Sequence, residues 1–215
     1  MLIDRYHKAV DELLEKVRKT QWDNIHKAGE LVANAVETGH KIYLSQIVHG
    51  IEMDLIYRGG GPIFYKQYKK DETELKEGDV LFLSSVSGRS KGVVDLAWEC
   101  VNKGIIVIAL TSMVYASAVD PVHESGKKLH EIATLTLDNC APAAEAMLEV
   151  EGIEAHFAAA SGIASDYIMW SLTSVCVEKM LADGFTPGIL KSANYPGGND
   201  YNKTIIEPHY DEYGC

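Results

Sequence analysis

Two stretches of the sequence, "VLFLSS" at 80–85 and "IIVIALTS" at 105–112, are apolar at every position before their terminal hydroxyls. A strand with one face in water alternates apolar and polar residues, because successive side chains point to opposite faces. A strand that is apolar throughout is covered on both faces, the condition of a parallel sheet under helices. Between the two runs, residues 89–102 carry Val93, Val94, Leu96, Ala97 and Val101 at helical spacing, and Gly104 closes the segment. Strand, helix and strand in that order fit a right-handed βαβ unit.

The rest of the chain extends this unit. "KIYLSQ" (41–46), "PIFYKQY" (62–68) and "HEIATLTLDN" (130–139) read as three further strands. Residues 3–38 keep a helical apolar stripe through Leu13, Leu14, Val17, Ile25, Leu31, Val32 and Val36. "TQWD" at 20–23 resembles a capping box between two halves of that segment, so it predicts one or two helices. Residues 47–58 return to helical spacing until "GGGP" at 59–62, and 161–184 form a long helix that is apolar around most of its circumference. The expected fold is α/β: a doubly wound, mostly parallel five-stranded sheet flanked by helices. Within one domain, residues 1–40 form a helical layer, 41–190 the α/β core and 191–215 an irregular tail rich in Pro, Gly and Asn.

Composition narrows the function. The chain has 215 residues, 47% hydrophobic and 24% charged, with a formal net charge of −11. An acidic surface does not suit a nucleic-acid binder, which needs basic groups against the phosphates. A local anion site is compatible with that charge, since a few backbone amides suffice. Cys100, Cys140, Cys176 and Cys215 are scattered without a C-x-x-C pair. The eight histidines show neither H-x-H nor H-E-x-x-H spacing. No metal and no cofactor is therefore expected. The amphipathic first residues carry acids throughout, and no apolar run has membrane-spanning length, so a cytoplasmic protein without a membrane partner is expected.

Ser84, Ser85, Ser87 and Ser90 crowd into seven positions, with Gly88 among them, where "VLFLSS" gives way to the next helix. In an open parallel sheet, ligands sit beyond the carboxyl ends of the strands. The first N–H groups of the following helix lack intrahelical partners and face that crevice, with the positive end of the helix dipole behind them. Hydroxyls add donors, and Gly88 lets the backbone turn tightly. Together they make an anion cradle suited to phosphate. Ordinary capping by Ser and Gly is the competing reading. The loop is neither a G-x-x-x-x-G-K-[ST] P-loop nor a G-x-G-x-x-G dinucleotide loop.

"GDVLFLSSVSGRSKGVVDLAWECVNKGIIVIALTS" resembles the core of the SIS (sugar isomerase) domain, a flavodoxin- or Rossmann-like three-layer sandwich. In that family an S-x-S-G-x-[ST] loop, here Ser85 to Ser90, holds the phosphate of a phosphosugar. "YRGGG" (57–61), "DNCAP" (138–142), "LEVEG" (148–152) and "SANYPGGNDYN" (192–202) are similar to small single-domain members read as phosphosugar binders. One departure stands out. Members carry a first ligand loop, G-T-G-x-S-H, whose counterpart here is "LSQIVHG" (44–50). Leu44 and Gln46 replace its glycines and Val48 its serine, while Ser45 and His49 keep a hydroxyl and an imidazole.

The resemblance implies a phosphorylated sugar as ligand, bound by Ser45, Gln46, Ser84, Ser85, Ser87, Gly88, Arg89 and Ser90, with Thr111 and Ser112 after the next strand. It also implies a homodimer or homotetramer. Aldose–ketose isomerisation needs a base to move a proton between C1 and C2 and an acid at the oxygens. Related isomerases present a Glu or His from a helix beside the crevice. Glu149, Glu151 and His49 are the candidate catalytic residues, with His156 nearby and Glu145 as a third carboxylate. Glu145 and Glu149 also stand at i, i+4, the spacing of a solvated acidic face. Three functions stay open: a phosphosugar isomerase, a non-catalytic phosphosugar sensor or regulator using the same pocket, and a nucleotide-using enzyme, which the missing glycine fingerprint disfavours.

Overall fold

The computed structural model describes residues 1–45 and 48–210 of the chain. Five strands, β1 (Ile42–Leu44), β2 (Tyr65–Gln67), β3 (Val80–Ser84), β4 (Ile106–Thr111) and β5 (Leu135–Asp138), form one sheet in the order β2-β1-β3-β4-β5. Every neighbouring pair is parallel, with Ile42 opposite both Tyr65 and Val80, Val80 opposite Ile106, and Ile108 opposite Leu135.

The apolar runs are explained by what covers each face. Val80, Phe82, Ile108 and Leu110 pack against α1 (Leu2–Glu37) and α4 (Ser161–Ala182). The alternate residues Leu81, Leu83, Val107 and Ala109 pack against α2 (Lys91–Asn102) and against Leu129 and Ile132. Helices α1 and α4 run side by side in the same direction: Arg18 lies over Tyr167, Gly29 meets Leu172 and Val175, and Glu37 meets Lys179 and Asp183. No helix among the described residues is long and apolar enough to cross a membrane.

Three local expectations are corrected. Helix α1 is unbroken at 20–23: the Thr20 hydroxyl donates back to the Lys16 carbonyl at 2.9 Å, and Gln21 is buried, accepting from the Asp138 amide at 3.0 Å. Both side chains serve the helix interior or the sheet, so no cap forms. Of the stretch 47–58, residue 47 lies outside the described residues, and 48–58 hold only a short tight helix, Val48–Asp54, because His49 and Gly50 have φ of 58° and 97°, outside helical geometry. The connection after β4 contains a helix, α3 (Met113–Ala118), capped by Ser112, which accepts from the Tyr115 amide at 3.0 Å. Residues 146–159 form a two-stranded antiparallel hairpin, β6 (Ala146–Leu148) and β7 (Phe157–Ala159), where a helix face was expected for the acids.

The C-terminal tail is strapped to the "YRGGG" segment. The Gly60 amide donates to the Leu190 carbonyl at 2.7 Å, and the Leu190 amide to the Gly61 carbonyl at 3.0 Å. A β-carbon on Gly59 would stand 2.6 Å from the Ser192 α-carbon, so only glycine fits there. The Asn202 amide then accepts from the Lys191 amide and donates to its carbonyl, both at 2.9 Å. Two motifs far apart in sequence thus meet as one packed unit.

Candidate functional site

The strand order reverses between β1 and β3, and the sheet opens a crevice beyond their carboxyl ends. The crevice encloses about 420 Å³ and is lined by Ser45, the serine loop, Tyr115, His49 and Glu145 among others. Strand β1 delivers Ser45, whose hydroxyl donates to the Phe82 carbonyl at 2.7 Å, tying β1 to β3 at the mouth of the crevice.

Strand β3 delivers the loop. Gly88 has a φ of 69°, the left-handed conformation that glycine adopts without strain. Its amide donates to the Ser85 carbonyl at 2.9 Å, closing the turn. Ser90 stands at the N-cap of α2, yet its side chain makes no cap hydrogen bond. Its Oγ lies 3.2 Å from the Ser85 Oγ instead, so these hydroxyls gather on the crevice side. Capping is not what this serine does here. Ser84, Ser85, Ser87 and Ser90 all line the crevice.

Thr111 and Ser112 lie behind the loop. Both are fully buried. The Thr111 hydroxyl faces the Ser85 and Val86 carbonyls at 2.7 and 3.0 Å, and the Ser112 hydroxyl donates to the Ala141 carbonyl at 2.6 Å. They hold the loop in shape and do not line the crevice. Arg89 is half-buried in the turn and is also absent from the lining, while Gln46 falls outside the described residues. Among the described residues lining the crevice there is no lysine or arginine.

The carboxylate that reaches the crevice is Glu145. "DNCAP" forms the bend that brings it there. The Asp138 carboxylate accepts from the Met113 and Cys140 amides at 3.0 and 2.8 Å. Buried Asn139 accepts from the Ala141 amide at 3.1 Å and donates to Ser165 at 3.2 Å. Ala144 and Glu145 then take φ of 61° and 73°, a strained turn of the kind found at functional sites. Ser161, at the start of α4, donates its hydroxyl to Glu145 Oε2 at 2.6 Å. His49 Nε2 lies 3.7 Å from the same oxygen, with its ring three-quarters exposed.

Glu149 and Glu151 are not brought into the crevice. They sit on the turn of the β6–β7 hairpin, where Glu149 is 83% exposed and 3.4 Å from His156. Glu151 borders the first residues of α1. Sequence reading missed Tyr115 and the holding role of Ser161. Tyr115 stands three residues after a capping serine, a signal for a helix but not for what its first turn faces.

This fold agrees with what the chain is similar to. A model of the SIS domain matches residues 5–67 and 61–112, together just over half of the chain. A UPF0309 protein of Geobacillus sp. strain WCH70 is 30% identical over 239 residues, covering 98% of this chain and 96% of the relative. Two solved structures share the fold. A phosphoheptose isomerase from Francisella tularensis has a TM-score of 0.57 at 14% identity, covering 82% of this chain and 96% of that one. A phosphoheptose isomerase from Neisseria gonorrhoeae has a TM-score of 0.53 at 16% identity, covering 82% and 97%. With the parallel sheet, the serine loop at its switch point and a relative matched along almost its whole length, the chain belongs to the SIS-domain family.

Proposed function

We propose that this protein binds a phosphorylated sugar with its phosphate in the Ser84–Ser90 loop and interconverts the aldose and ketose forms through an enediol. The observation that carries the reading is the placement of one carboxylate, Glu145, opposite a cluster of hydroxyls that no helix cap consumes. The loop hydroxyls and the N-terminal amides of α2 anchor the phosphate. The sugar carbons then lie toward Ser45, His49 and Glu145.

Glu145 takes the proton from the carbon next to the carbonyl, and the electron pair left behind forms the carbon–carbon double bond of the enediol. Returning the proton to the neighbouring carbon completes the isomerisation, with no net gain or loss of atoms. Ser161 occupies Oε2, which orients the carboxylate and leaves Oε1 for the substrate. His49 moves the proton between the two substrate oxygens. The phosphoheptose isomerases that share the fold support the reaction class, and the altered loop at 44–50 marks where the sugar specificity of this chain departs.

The test replaces Glu145→Gln and measures both binding and turnover over a panel of aldose phosphates. A phosphosugar raises the melting temperature of the wild type by roughly 5–11 °C at about 100 times its dissociation constant, whereas its unphosphorylated form does not. Turnover by the variant falls by about 10²-fold or more with the thermal shift kept. A wild type that binds but never turns over identifies a non-catalytic phosphosugar sensor, the second reading, which the altered first loop favours. A thermal shift absent for every phosphorylated ligand overturns both.

A further inference from the structure

One aromatic residue of the crevice wall has no part in the chemistry above. Tyr115 lines the crevice and is half-buried. The backbone beneath it is clamped to the serine loop on both sides. Before it, the Ser112 amide donates to the Val86 carbonyl at 2.9 Å. After it, fully buried Ala116 has its β-carbon 3.7 Å from where one on Gly88 would stand. The same turn is tied to "DNCAP": the Met113 amide donates to the Asp138 carboxylate at 3.0 Å, and the Ser112 hydroxyl to the Ala141 carbonyl at 2.6 Å. One bend in the chain therefore supports both Glu145 and Tyr115, so the position of the phenol is fixed before any ligand arrives.

The hydroxyl is what packing leaves unexplained. Among the described residues it has no hydrogen-bond partner, and the amide of Tyr115 is what Ser112 engages, at 3.0 Å. A phenylalanine ring would fill the same space. Other donors of the crevice are already engaged: the Ser45 hydroxyl on the Phe82 carbonyl, and those of Ser85 and Ser90 on each other. A phosphate seated in the loop meets no lysine or arginine among the described lining residues. It needs donors that carry no charge, and a hydroxyl bonded to an anion is stronger than one bonded to a neutral group.

We infer that Tyr115 is a phosphate-binding residue, its hydroxyl donating to a phosphate oxygen held in the Ser84–Ser90 loop in place of the cation that the lining lacks. The inference rests on the phosphosugar reading and names the group that favours a phosphorylated ligand over its free sugar. The test is Tyr115→Phe in the full chain, with inorganic phosphate and the stabilising phosphosugar titrated separately by calorimetry or phosphorus NMR. The ligand-free variant melts with the wild type, because the hydroxyl has no protein partner to lose. Both dissociation constants rise about tenfold or more, and by the same factor. Turnover at saturating substrate stays within about twofold, because the phosphate is held alike in ground and transition states. The two dissociation constants decide the matter whether or not the sugar is turned over. A wild type that binds both ligands and a variant that binds them equally well overturn this inference and leave the phosphosugar reading standing. A loss confined to the phosphosugar also overturns it, since the hydroxyl then serves the sugar. A wild type that binds neither ligand overturns the inference together with the reading beneath it.

Discussion

Ser90 stands where a helix cap belongs, and its hydroxyl is turned to Ser85. The proposed ligand loop rests on that single orientation, and the spacing of serines alone does not reveal it. Beneath the loop, His130 packs near the back of Gly88, 3.6 Å from where a β-carbon would stand, with its Nδ1 buried and unpaired. Burial pushes this imidazole below its ordinary range, aided by Lys128 and opposed by Glu131, the two charged groups acting on it. The sign follows directly. On acidification the unfolded chain takes up a proton near pH ~6.5 while the folded ring stays neutral, so the unfolded state binds more protons. His130 therefore costs nothing above that pH and lowers stability progressively below it. Urea midpoints measured from pH 7.5 to 5 should fall with a slope that His130→Asn flattens. An unchanged slope would mean the ring is open to solvent.

At the scale of elements, α1 and α4 approach each other closely at Gly29. A β-carbon there would lie 2.7 Å from that of Val175 and 2.8 Å from the Leu172 carbonyl oxygen. Alanine is the better helix former by about 1 kcal/mol. Forcing two packed helices apart costs about 1–3 kcal/mol, which outweighs it. Gly29→Ala should therefore lower the melting temperature by a few degrees, whereas a rise would show that the helices separate freely. The strands around this pair were legible, because both faces of β3 and β4 are covered and every position had to be apolar. The β6–β7 hairpin was not. Its strands are three residues each, and the acids around them fall at spacings that mimic a helix face. Glu145 was consequently ranked behind Glu149 and Glu151, although the bend at Ala144 puts it alone of the three in the crevice. The capping-box reading at 20–23 failed for a related reason: Thr20 and Gln21 look like capping residues until the sheet that uses Gln21 is in place.

For the whole molecule, the parallel order of the strands, legible in the sequence, fixes where a ligand can sit. Which groups meet there is only partly legible in the sequence, since Glu145 and Tyr115 reach the crevice from different elements and Ser161 holds Glu145 from a third. The crevice lining has no lysine or arginine among the described residues, while the chain carries a net charge of −11. A phosphate held by dipoles feels little screening once seated, but it approaches through a field that repels it. Stopped-flow binding of a sugar phosphate should thus speed up as salt is added, with a nearly constant dissociation rate. Proteins that capture phosphate with cations slow down under the same treatment. This protein would bind its anion faster in brine than in dilute buffer, recognising shape at contact after overcoming charge at a distance.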